Sequence, residues 1–320
     1  MRKLLLIALG LAAGSAFALR RVFRSDETIE WEDATRPGKI ASVDGVGIHY
    51  VDEGVGPAVI LIHGFGGHTF SFRYTVPALA ERFRVVAVDL KGFGYSERPQ
   101  KSDYSLTAQA RTVVDLMDEL GIDSAAVVGH SMGGEVAMRI AEGWPDRVEK
   151  LLLVASVSSD RFPSLPPSPI IKPFMSVLGR FTSSVLLRRA FYDRKKLTEE
   201  VREGYRGPKR VKGFMGGIYQ MFRDMRHDPP IDFAKITQPV MILWARAEML
   251  PQWTLRRLRK RLPQAEVRFV EEAGHLLLEE QPEAVNRLML RFLVPGEVPE
   301  EVPAEAQTDV ATSADGLEVA

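Results

Sequence analysis

Gly129-His130-Ser131-Met132-Gly133 has the spacing G-x-S-x-G. It follows an apolar run at 125–128 and precedes a helical pattern at 135–142. In that strand–turn–helix setting the motif lifts a serine hydroxyl above a sheet. Glycine is needed on both sides because side chains would clash in so tight a turn. The N-terminus of the following helix lies beneath the serine, where it favours negative charge forming on a substrate oxygen. A serine hydroxyl is a weak nucleophile until a base removes its proton. Imidazole titrates near neutral pH, so it can take that proton and return it to a leaving group. The chain has six histidines. His275, in Ala273-Gly274-His275 after the last apolar run, has the order and loop position of a base. His49 falls in an expected strand, and His63 and His130 in tight loops, where local hydrogen bonding explains them. His68 is near enough to the first loop to line a pocket, and His227 sits in a loop near Pro229-Pro230.

Two more segments complete a pattern. His63-Gly64-Phe65-Gly66-Gly67 follows the run at 59–62, and Asp89-Leu90-Lys91-Gly92-Phe93-Gly94-Tyr95-Ser96 follows the run at 85–88. With the elbow and Ala273-Gly274-His275, they make the chain resemble the α/β-hydrolase family over about residues 40–160 and 236–294. The resemblance implies an HG-x oxyanion loop, with the backbone N–H groups of Phe65 and Met132 forming an oxyanion hole. It also implies a D-x-x-G-x-G-x-S turn and a catalytic role for His275.

In the family the acid lies between serine and histidine and ends a W-G-x-x-D pattern after the seventh strand. Here that stretch reads Trp244-Ala245-Arg246-Ala247-Glu248, with glycine and aspartate both replaced. Glu248, 27 residues before His275, is the expected acid, and Asp160 after the sixth strand is the alternative. Epoxide hydrolases and haloalkane dehalogenases of this family use aspartate where Ser131 stands. The expected reaction is therefore hydrolysis of a carboxylic ester, hydrophobic or lipid-like, through an acyl-enzyme at Ser131. Carbon–carbon bond hydrolysis and cofactor-free haloperoxidase-like activity use the same constellation. A non-catalytic binding protein on the same fold is the reading from another class. Neither a phosphate-binding nor a dinucleotide-binding loop is present, nor a clustered metal-ligand motif, so no cofactor is expected.

The elements that must position these groups follow from the apolar pattern. Ala41–Val43 and Ile48–Asp52 flank Asp44-Gly45, a hairpin signal. Runs at 59–62, 85–88, 125–128, 151–155, 240–243 and 267–270 have the Val, Ile and Leu content of strands buried on both faces. Helical patterns at about 106–120, 133–142, 252–262 and 282–293 lie between them. The alternation predicts an α/β fold with a mostly parallel central sheet and helices on both faces. The core is expected at 25–156 and 236–294. Residues 157–235 show helical patterns rich in aromatics and methionine, and predict an inserted helical cap. Cap aromatics are read mainly as core. Glu271, Glu272, Glu279 and Glu280 are read as solvated or as fixing the loop of His275.

Lys plus Arg and Asp plus Glu are 42 each, which gives no electrostatic case for nucleic acid. There is no cysteine, which excludes disulfides and thiolate chemistry. Arg2 and Lys3 precede an apolar run from Leu4 to Leu19, followed by Arg20, Arg21 and Arg24. As a helix this run spans roughly 24 Å, against roughly 30 Å for a hydrocarbon core. Residues 1–24 are expected to be a membrane anchor, or alternatively a signal peptide with secretion or periplasmic export after cleavage. Residues 161–226 carry 15 basic and 5 acidic side chains, which could place the cap against a membrane surface. Residues 295–320, rich in Pro, Glu and Ala, are expected to be a disordered acidic tail.

Overall fold

A computed structural model describes residues 27–157 and 185–294. The N-terminal apolar run, Asp160, the first part of the insertion and the acidic tail lie outside these residues. Eight strands form one sheet in the order β1-β2-β4-β3-β5-β6-β7-β8. They are β1 Lys39–Val43, β2 Val46–Glu53, β3 Ala58–Ile62, β4 Arg84–Val88, β5 Ala125–His130, β6 Val148–Val154, β7 Val240–Ala245 and β8 Glu266–Val270. Only β2 runs against the others, pairing antiparallel with β1 and β4. The β1–β2 hairpin turns at Asp44 and Gly45, both left-handed (φ 48° and 73°), which matches the twist of the flanking strands.

β3 and β5 are Ala- and branched-residue-rich because helices cover both sheet faces. One apolar layer packs Leu106–Glu119, Met132–Gly143 and Gln252–Arg261 on the sheet, and a second packs Thr75–Ala80 and Pro282–Leu293 on the opposite face. From β3 the chain steps to β4 on one side and then to β5 on the other. The loops leaving β3 and β5 therefore diverge, and a crevice opens at the carboxyl ends of the strands. Those ends, with β7 and β8, carry Phe65, Ser131, Met132, Glu248 and His275.

Between β6 and β7 the described chain is helical at 185–190, Glu199–Arg206 and Phe214–Asp224. Phe214, Ile218, Met221 and Met225 enter the first apolar layer, so this helix is fastened to the core. Tyr205 and Val201 join Phe191, Leu197 and Leu276 in a smaller cluster. The N-terminal segment clasps the insertion. Ile29 bridges Val211, and the Glu27 carboxylate accepts from Gly213 N (2.8 Å) and Met215 N (2.9 Å), capping Phe214–Asp224. At the insertion's exit, Asp228 accepts from Leu106 N (2.8 Å) and Thr107 N (2.9 Å), helping to cap Leu106–Glu119.

Candidate active site

Ser131 has φ 52° and ψ −117°, a strained conformation that its surroundings must impose. Its N–H donates to Val154 O (2.9 Å) and its C=O accepts from Gly134 N (3.0 Å). The turn leaves no room at its glycines. A Cβ on Gly129 would run into the carbonyl of Gly133, and one on Gly133 into the carbonyls of Ile62 and His63. This accounts for the glycines of the G-x-S-x-G spacing.

β8 delivers His275 to the serine. The Ser131 hydroxyl lies 2.9 Å from His275 Nε2, and His275 Nδ1 lies 2.8 Å from Glu248 Oε1. Glu248 follows β7 directly, its side chain 3% exposed, and Oε1 also accepts from Leu250 N (3.0 Å). The longer glutamate thus reaches the imidazole while its own loop holds it. The structure brings Ser131, His275 and Glu248 together across 144 and 27 positions of chain.

Phe65 and Met132 flank the serine from two loops. Gly64 packs so closely on the elbow that a Cβ there would lie 3.0 Å from Ser131 Cβ. Met132 opens the helix Met132–Gly143, whose first N–H groups have no intrahelical acceptor. Among the described residues no hydrogen bond takes up the N–H of Phe65 or of Met132. The Phe65 ring lies between Phe93 (6.2 Å) and Phe222 of the insertion (5.5 Å between centroids).

Buried polar groups shape these loops. Asp89 accepts from Thr69 N (2.6 Å), Tyr95 N (2.7 Å) and His49 Nδ1 (2.7 Å), tying the chain after β3 to the turn after β4. Burial opposes ionisation of both partners. The hydrogen bond and charge between them win, holding Asp89 well below the usual carboxylate range and raising His49. His49 also faces Pro37 O, so both ring nitrogens meet acceptors. His68 is tied into the fold: its Nε2 donates to Gly204 O (3.0 Å) and its ring packs on Phe70, Tyr95 and Tyr205. His130 donates from Nε2 to His275 O (2.9 Å). Glu271 pairs with Arg246. Glu279 and Glu280 are buried rather than solvated. Sequence reasoning missed the partners of both, and Asp89 as the hub of the loops.

The buried histidines give a pH prediction. Burial pushes His68 down to about 4 and His130 to about 3, and lowers His63 as well. The unfolded chain protonates them near their ordinary value of about 6.5. Between that pH and about 4 the unfolded state binds more protons, so stability falls as pH falls, by at most about 1.4 kcal/mol per unit per histidine. The raised His49 contributes fully below about pH 6.5, and the depressed Asp89 loses its contribution only below about pH 4, so neither reverses the trend. Urea midpoints measured from pH 7 to 4.5 are expected to fall steadily. A flat profile would contradict the neutral assignment.

A surface cleft of about 530 Å³, lined in part by Asp103, Arg223, Asp224 and Asp228, contains none of Ser131, His275 or Glu248. All three of these carboxylates are engaged, Asp103 by Ser105 N, Asp224 by Tyr104 N and Asp228 by the helix at Leu106. Among the described residues no group of three metal-binding side chains occurs.

Residues 59–288 match the family described as the alpha/beta hydrolase family. Three solved structures are similar to this chain. The epoxide hydrolase CorEH is 26% identical, covering 80% of this chain and 98% of its own, with a TM-score of 0.67. A meta-cleavage product hydrolase from Pseudomonas fluorescens IP01 is 28% identical, covering 80% and 97%, with a TM-score of 0.66. A membrane phospholipase A, described as a bacterial virulence factor, is 25% identical, covering 92% and 98%, with a TM-score of 0.68. These names describe three different reactions, so likeness fixes the scaffold while the side chains must decide the chemistry.

Proposed function

Since this chain belongs to the alpha/beta hydrolase family, we propose that it is a serine hydrolase that cleaves carboxylic esters of hydrophobic, lipid-like substrates through an acyl-enzyme at Ser131. The observation that carries this reading is the line from Ser131 Oγ to His275 Nε2 to Glu248 Oε1, at 2.9 and 2.8 Å.

On this reading Glu248 accepts Nδ1–H of His275 and leaves Nε2 free to accept the serine proton. Ser131 Oγ attacks the ester carbonyl as His275 takes that proton. The tetrahedral oxyanion sits at the N–H groups of Phe65 and Met132, beside the helix N-terminus. His275 then protonates the departing alcohol. Water, deprotonated by the same imidazole, attacks the acyl-enzyme, releasing the carboxylic acid and restoring Ser131. Epoxide opening in this family uses an aspartate where Ser131 stands, so the likeness to CorEH supports the scaffold only. Carbon–carbon hydrolysis is the second reading because it uses the same three residues.

Two features favour lipid-like esters. The membrane phospholipase A match takes in more of this chain than the other two. The insertion also exposes Val185, Leu186 and Tyr192 beside Arg188, Arg189, Arg194, Lys195 and Lys196, a pairing of apolar and basic groups suited to an anionic bilayer. Membrane attachment through residues 4–19 belongs to this proposal. Phosphatidylglycerol vesicles are expected to yield free fatty acid with the wild-type protein and none with His275→Gln. Cleavage of a vinylogous diketone, with no release from any ester, would move the assignment to carbon–carbon hydrolysis.

A further inference from the structure

Glu280 lies five residues after His275, at the end of the short helix Leu277–Glu280, and is 1% exposed. A carboxylate removed from water needs donors on both oxygens. Here they come from the backbone of two separate loops. Gly274 N donates to Oε2 (2.8 Å), Tyr192 N to Oε2 (3.1 Å) and Asp193 N to Oε1 (2.8 Å). Lys196 Nζ donates to the Glu280 carbonyl.

Neighbouring contacts make this joint a clamp around the base. Leu276 N donates to Ala190 O (3.3 Å), and His130 Nε2 to His275 O (2.9 Å). A Cβ on Gly274 would lie 2.5 Å from Ala190 O and 2.9 Å from Tyr192 N, so the two loops touch without a gap. The peptide groups around His275 are thus held by Glu280, by the elbow and by the insertion. Glu279, its neighbour, faces elsewhere: its carboxylate accepts from Arg73 and Tyr205.

We propose that Glu280 is a positioning residue whose carboxylate fixes the loop of His275 to segment 190–196 of the insertion, keeping Nε2 in reach of Ser131. The proposal rests on reading Ser131 and His275 as nucleophile and base. Through this joint a displacement of the insertion is transmitted to the base.

The test uses the full chain and three variants. Glu280→Gln turns an amide NH2 toward backbone donors. It is expected to lower kcat on an activated ester, and the rate of Ser131 phosphonylation by a fluorophosphonate, by about 10²-fold, the scale of a small misplacement of reacting groups. KM is expected to hold. Glu280→Asp keeps the charge and should recover part of the loss. Glu279→Gln, buried on the same helix, should lower Tm without slowing phosphonylation. Wild-type phosphonylation rates in whichever Glu280 variant folds would overturn the proposal, whatever the Tm. Hydrogen exchange separates this outcome from failure of the Ser131 reading. If the wild-type protein resists the fluorophosphonate, joint faster exchange at 190–193 and 273–276 in the folded Glu280 variant still supports the clamp, and unchanged exchange in either segment overturns it.

Discussion

Ser131→Ala is expected to lower kcat for an activated ester by up to about 10⁶-fold while the protein stays folded. The size follows from the role. Without Oγ no acyl-enzyme forms, and His275 can act only on water, in a site shaped for a serine ester. What survives comes from the oxyanion donors and substrate binding. Folding should be spared. Ser131 Oγ has His275 as its hydrogen-bond partner, and the turn is held by backbone contacts at Val154 O and Gly134 N. The strain at φ 52° remains in the variant because alanine also carries a Cβ. Matched circular dichroism and Tm, with turnover measured on a p-nitrophenyl ester, check both halves. Near-normal turnover would end the assignment of Ser131.

The second large effect is at Glu248. Glu248→Gln is expected to lower kcat by up to about 10⁴-fold, as when a triad aspartate becomes asparagine. With the carboxylate, His275 carries its proton on Nδ1 and accepts at Nε2. A glutamine that turns its NH2 toward Nδ1 favours the other tautomer, whose Nε2–H faces the serine and cannot take its proton. Asp160→Asn, which tests the alternative acid, is expected to leave the rate near wild type. The reverse pattern would move the acid to Asp160.

How much of this was legible differs from element to element. All eight strands were predicted within a few residues because Val- and Ile-rich runs between turn residues are what a doubly covered sheet requires. The helix Thr75–Ala80 was missed: its six residues include Pro77 and Val76, and its N-cap Tyr74 makes no side-chain capping bond. That Ser131 and His275 would lie close together was legible because each follows a strand end in a particular turn. That Glu248 would lie beside His275 was legible from its place after β7, although two letters of the expected motif had changed. For Glu279 and Glu280 the two alternatives, solvated or fixing the loop of His275, stayed open. Their surroundings depend on Arg73 and Tyr205, 206 and 74 positions away, and on Tyr192, 88 away. No local pattern distinguishes such a carboxylate from a solvated one. The insertion showed its apolar helical faces, but Phe214, Ile218 and Met221 could not announce that their partner is the main core. The role of Asp228 as a cap, 122 positions from Leu106, likewise exists only in the fold.

The measurement that bears most directly on the central claim is peptide mapping after treatment with a fluorophosphonate. A single covalent adduct on Ser131 is expected, formed by the wild-type protein, absent from Ser131→Ala and strongly slowed in His275→Gln. An adduct on another residue, or a wild-type protein that stays unlabelled while folded, would contradict it.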